Sequence, residues 1–136
     1  MPRLGSEVAP DEAISRYLLQ SGHYSASTSR VKPHAFHPAR RNRKTSVSRV
    51  RGLEDREIWK LGDVCVALPQ GKDLRARADL LVADVVNVGL RVEAEQPPPR
   101  HANIIDWPAE KDALMSCAQE LAAVAILRLR VPNSAA

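Results

Sequence analysis

A chain of 136 residues is enough for one domain with its own core and too short for two large ones. The hydrophobic fraction is 44%, but nineteen residues are alanine and only five are aromatic (Tyr17, Tyr24, Phe36, Trp59 and Trp107), so the core is modest. The formal net charge is +4, and no apolar run approaches the ~18 residues of a membrane span, which argues against a membrane partner.

In chain order, residues 1–10 read as a tail, 11–131 as a single domain and 132–136 as a second tail. The opening Met1-Pro2-Arg3-Leu4-Gly5 has no apolar stretch, so no secretory leader is expected. Asp11 predicts an N-cap for a helix reaching about Gln20, with Ile14, Tyr17 and Leu18 at helical spacing and Ser21-Gly22 as its stop. Residues 21–29 are polar and short-chained, a loop or a poor edge strand. Pro33 and Pro38 argue against a helix over 31–38 and for extended or turn-like chain. Ala39–Lys44 reads as a basic loop, mobile when free.

Thr45–Val50 alternates as a strand, with Val47 and Arg49 on an inward face and Ser46 and Ser48 outward. Gly52 breaks it. Leu53–Leu61 predicts a short helix with Gly62 as its stop. Val64–Leu68 predicts a continuous apolar strand closed by Pro69-Gln70-Gly71, and Leu74–Asp79 predicts another short strand. Asp84 caps one turn ending at Gly89, and Leu90–Glu93 alternates as a strand. Gln96–Arg100, with three consecutive prolines, predicts a stiff polyproline-like crossing before a short strand, His101–Ile105.

The longest predicted helix runs from Pro108 to about Ile126. Leu114, Cys117, Ala118, Leu121, Val124 and Ala125 form its apolar face, and Glu110 and Asp112 suit the dipole of its first turns. Arg128–Val131 alternates as a terminal strand. These elements predict an α+β fold: a single small domain with a mixed or antiparallel sheet packed against a long C-terminal helix. Cys65 and Cys117 lie in apolar patterns and read as reduced core thiols of a cytoplasmic protein.

The charge is unevenly placed. Arg30, Lys32, Arg40, Arg41, Arg43, Lys44, Arg49 and Arg51 fall within 22 positions that hold no acid. The other 12 basic residues face 16 acids, so a body of net charge −4 carries a band of +8. Concentrated like charge repels itself unless a counter-charge relieves it. With Arg100, the band predicts a surface for RNA or DNA, or for phosphate groups generally. Only Phe36 lies inside it, with Tyr24 just before, so base stacking is thinly provided. Arg49 is the exception within the band: its inward face demands a partner, and Glu57, Asp79 or a ligand phosphate are the candidates, a structural ion pair leading.

The histidines are His23, His34, His37 and His101. His34 and His37 lie three apart, but no third and fourth ligand accompany them, so neither a metal nor a cofactor is expected. His101 follows the rigid prolines at the start of a strand. It is the candidate general base of an alternative reading: a metal-independent phosphoryl-transfer or nuclease-like enzyme using His101, Arg49 and His34. The competing explanation is a hydrogen bond across the sheet.

The segments Arg30-Val31-Lys32-Pro33-x-Ala35-Phe36, Ser46-Val47-x-Arg49, Gly52-Leu53, Glu57-Ile58-Trp59-x-Leu61-Gly62 and Pro98-Pro99-Arg100-His101-Ala102-Asn103-Ile104, in that order, resemble a family of small uncharacterised bacterial proteins over about residues 12–127. The resemblance implies a bacterial cytosolic origin and carries no catalytic role. The leading expectation is a small nucleic-acid-associated or phosphate-binding accessory protein. Behind it stand the enzyme and a protein-interaction component of a bacterial two-protein system. The last would dock an acidic protein partner, and the small alanine-rich core leaves room for a homodimer.

Overall fold

The computed structural model describes residues 4–131 and gathers the short alternating stretches into one sheet; the tail expected at 132–136 lies outside the described residues. In chain order the strands are β1 (Ala13–Leu18), β2 (Tyr24–Ser25), β3 (Arg30–Val31), β4 (Thr45–Arg49), β5 (Ala76–Leu81), β6 (Arg91–Ala94), β7 (His101–Ile105) and β8 (Ile126–Leu129). The helices are α1 (Asp55–Gly62), α2 (Leu68–Gln70), α3 (Val82–Asn87) and α4 (Lys111–Val124). Six strands pair antiparallel in the order β6-β7-β4-β1-β5-β8, and β2 and β3 form a separate small hairpin. The α+β architecture with a C-terminal helix on the sheet is therefore the one expected.

Register assigns the faces. Ser48 pairs with His101 and with Ser15, and Ser15 pairs with Asp79, so these four share one face. Their neighbours Val47, Ala102, Ile14 and Leu80 turn to the other. That second face is apolar and is covered by Phe36, by Val82 and Val85 of α3, and by Ala118 and Leu121 of α4. Ala76, Ala78, Ala102 and Ala118 are all fully buried. The alanines that make the core modest thus give the helix a flat sheet to lie on. Both α3 and α4 cross this face because each joins strands near opposite edges: β5 to β6, and β7 to β8.

The first face is mixed. Over β1 and β5 it is roofed by α1, where Tyr17, Ile58 and Trp59 form a second core with Val50, Ala67 and Leu74. Tyr17 Oη donates to the Ile58 carbonyl at 2.5 Å, tying helix to strand. A capping box starts α1: Glu57 accepts from the Glu54 N–H at 2.9 Å. Over β4, β7 and β6 the same face stays open, with Ser46, Glu93 and Arg91 exposed.

Several expectations need correction. The helix from Asp11 to Gln20 is instead β1, the strand between β4 and β5. A strand covered on both sides buries consecutive residues and loses its alternation, and Ile14, Tyr17 and Leu18 then mimic a helical stripe. The strand at Val64–Leu68 is helical: Asp63–Ala67 is one π-turn continuous with α1 and α2. Val64 and Leu68 are exposed, whereas a buried strand would have covered them. Gly62 stops nothing; its φ of −64° is helical, and the stop is Gly71 at φ +62°. Over 96–100 the Gln96–Pro97 and Pro97–Pro98 peptides are cis, and the segment turns the β6–β7 hairpin rather than running as an extended crossing. Pro33–Phe36 is a 3-10 turn with proline in its first turn, in keeping with the turn-like chain expected over 31–38. Val124 ends α4 half exposed, and the last strand begins at Ile126 instead of Arg128.

Candidate functional site

The 30–51 band divides into two groups. Arg30, Lys32, Arg40, Arg41 and Arg43 are exposed, and among the described residues none of them forms an ion pair. Arg43 Nη2 donates to the Pro108 carbonyl at 2.7 Å. β3 packs against α4 and β8, and the Pro33–Phe36 turn packs against α4. Segment 30–43 therefore runs beside α4 in the opposite direction, from its C-terminal end to Pro108. The 14 residues of α4 rise about 21 Å, so the five cations are strung along a ridge of that order. Asp112 and Glu120 of α4 are exposed but make no ion pair with the ridge among the described residues.

This segment is fastened to the sheet. Arg16 Nε donates to the Ala35 carbonyl and Nη1 to the Ser46 carbonyl, both at 2.9 Å. Burial brings the Arg16 guanidinium down to about 10. Thr45 Oγ1 donates to the Phe36 carbonyl at 2.7 Å. Phe36 itself is fully buried and offers no base a stacking surface.

The second group does structural work. Lys44 Nζ meets Glu95 at 3.1 Å, and Arg51 pairs with Asp11. Arg49 is buried and its partner is Glu12, not Glu57, Asp79 or a phosphate: Nε to Oε1 and Nη2 to Oε2 are both 2.8 Å. Arg49 also donates to the carbonyls of Gly5 at 2.6 Å and Glu7 at 3.1 Å, which anchors the segment before β1. Arg100 is buried, with Nη1 donating to the Arg49 and Arg51 carbonyls at 3.0 and 2.9 Å. Arg49 thus ends β4, about 13 Å along the strand from Thr45, and Arg51 follows beyond it.

His101, Arg49 and His34, expected as one catalytic group, do not meet. His101 shares the open face of Ser46 and Ser48, while Arg49, one residue on, turns to the other face. His34 lies in the Pro33–Phe36 turn, which packs with α4 on the apolar face. Its ring stacks on His37 at 4.5 Å and lies 6.1 Å from His23. Burial lowers the pKa of His23, and Arg16 and His34 add to the shift; burial and His34 likewise lower His37. Among the described residues no three His, Cys, Asp or Glu side chains are grouped to hold a metal.

His101 keeps different company. Its Nε2 lies 2.8 Å from Ser46 Oγ, and its Nδ1 lies 2.7 Å from the Glu95 carbonyl. Asn103 pairs with Ser46 across the two strands. The Glu95 carboxylate, exposed, is held below its usual pKa by Lys44 first and by Asn103 second. Ser46, Asn103 and Glu95 were not singled out in the sequence. The signal for Ser46 was its outward position in Thr45–Val50, but only the register joins it to His101. No helix among the described residues is long and apolar enough to cross a membrane. The chain matches no family model, no curated protein and no solved structure.

Proposed function

We propose that the protein is an accessory factor that binds the phosphate backbone of a nucleic acid along the ridge of Arg30, Lys32, Arg40 and Arg41. The observation that carries this reading is that these four cations are exposed and without a carboxylate partner among the described residues, on a segment held against α4. A flexible basic tail would lose entropy on binding; a fastened ridge has already lost much of it. With Phe36 buried, contact falls on phosphates rather than bases, so little sequence preference is expected.

Fluorescence anisotropy with a labelled 20-base-pair duplex tests this. Four phosphate contacts predict a log–log slope of affinity against salt of about −3.6. Arg40→Glu with Arg41→Glu is expected to weaken binding at least tenfold at low salt and flatten the slope. Equal affinity of the double variant and the parent at low salt would overturn the assignment.

A further inference from the structure

The sheet ends on one side at β6, whose outer edge is covered by no strand among the described residues. Glu95 N–H donates to the His101 carbonyl at 2.9 Å, in line with the register that sets Glu93 opposite Asn103 and Arg91 opposite Ile105. In an antiparallel pair, residues that bond to the partner alternate with residues that do not. Arg91, Glu93 and Glu95 therefore bond to β7, while Val92 and Ala94 turn their N–H and C=O groups outward. An open row of such groups is a template for a further strand.

The side chains along this edge are self-complementary. Arg91 and Glu93 are exposed on the open face, two residues apart and opposite in charge. Val92 is half-buried, turns to the apolar face and packs at the rim of the main core. A twofold axis through Val92 would set Val92 against the partner's Val92, Arg91 against the partner's Glu93, and Glu93 against the partner's Arg91. The two Val92 residues then exchange both backbone bonds, and the charged residues fall at the closely spaced positions on either side. Arg91 already meets Asp106 at 2.6 Å, but Glu93 forms no ion pair among the described residues. The opposite edge of the sheet offers no such match. The charged residues of and just after β8, Arg128 and Arg130, share one face and one sign.

We propose that the protein forms a homodimer by antiparallel pairing of β6 with β6 of a second copy, centred on Val92. Two six-stranded sheets then join into one. The axis runs perpendicular to the sheet, so like faces adjoin: both open faces lie on one side, and both copies of α3 and α4 on the other. Val86, half-exposed at the end of α3, adds apolar surface there, since α3 packs on β6. The new backbone bonds and the burial of Val92 supply affinity, and the charge pairs fix the register. A short edge buries little area, which fits association in the micromolar range or weaker. The two basic ridges share the helical side of the dimer, although the pairing does not depend on what they bind.

Sedimentation equilibrium of the full chain, without nucleic acid, tests this. The mass is expected to rise from 15.0 kDa towards twice that value with concentration. Glu93→Arg sets arginine against arginine on both sides of the axis and should weaken dimerisation about tenfold or more. Adding Arg91→Glu exchanges the charges across the axis and should restore most of that loss. Val92→Pro removes an N–H that the chain's own sheet does not use, so the dimer should be lost while far-ultraviolet circular dichroism is kept. The charge variants, at exposed positions, decide the question whatever Val92→Pro does to folding. A mass that stays at 15.0 kDa up to about 1 mM would overturn the proposal. So would a Glu93→Arg dimer as tight as the parent's, or a loss that the charge exchange does not repair.

Discussion

Alternation along β4 carries the guanidinium of Arg49 into the interior, where a charge survives only with a matched partner. Glu12 supplies two oxygens at 2.8 Å, and the Gly5 and Glu7 carbonyls take two of the remaining N–H donors. Burial by itself would raise the Glu12 carboxyl. Hydrogen bonds from Arg49 and the Ala9 N–H, with the charges of Arg49 and Arg51, outweigh it and hold the group below 4.5. A lowered folded-state pKa contributes stability that is complete above 4.5 and is lost as pH falls through the lowered value. Glu12→Gln leaves Arg49 buried and unbalanced, and should cost about 3–5 kcal/mol in denaturant unfolding at pH 7 while flattening the acid limb of stability against pH. Adding Arg49→Met should restore part of that loss; a double variant no more stable than Glu12→Gln alone would show that the pair is not a unit. The need for a partner was legible in the spacing of Val47 and Arg49. Its identity was not, because Glu12 had been read into the first turn of a helix, where it would not face β4 at all.

At the scale of elements, Gly62 separates two physical effects that sequence reading merges. Helix propensity alone makes Gly62→Ala stabilising by about 1 kcal/mol, since its backbone is helical. A Cβ there, however, would lie 2.6 Å from Leu74 Cδ2 and overlap the Tyr17 ring. Both neighbours belong to the buried core under α1. Overpacking costs about 1–3 kcal/mol, so Gly62→Ala is expected to be destabilising overall, read as a lower melting temperature. A higher one would mean that Tyr17 moves aside freely. The glycine marks a close approach rather than an end, and composition cannot distinguish these. The same ambiguity hid the helical run after it: Val64, Cys65, Val66 and Ala67 are an apolar tetrad that suits a strand or a helix equally. Where one side is open and the other packed, the period survives along Arg91–Ala94; Thr45–Arg49 and His101–Ile105 bury consecutive residues and were still readable as strands. On the open face of the sheet, Ser46 was readable as an outward strand residue and His101 as the start of a strand. Their meeting depends on the register of two strands 55 positions apart, which no local pattern encodes.

The molecule is built on one six-stranded sheet with unlike coverings, and that organisation sets how it should unfold. Trp107 belongs to the core beneath α3 and α4, with its Nε1 donating to the Ile104 carbonyl at 3.2 Å. Trp59 belongs to the opposite core, with the Arg77 guanidinium 4.5 Å above its ring and Arg130 at 5.3 Å. The two layers touch different sides of the same strands. Ile14 and Leu18 of β1 face one core while Tyr17 faces the other, and in β5 Ala76 and Ala78 oppose Arg77. Detaching α1 would expose Tyr17 and leave Arg77 without Asp55, its partner at 2.7 Å. Detaching α4 would strip the alanine face of β5 and uncover Ile14. Neither loss leaves β1 and β5 with enough buried area to stay paired, so the layers are expected to fail together. Biosynthetic 5-fluorotryptophan gives one ¹⁹F resonance from each layer in an otherwise unchanged protein. Both native signals should vanish at a common guanidinium midpoint. If the Trp59 signal goes at lower denaturant while Trp107 stays native, α1 is an independent flap, and the open face beside it is larger in solution than the packed structure displays.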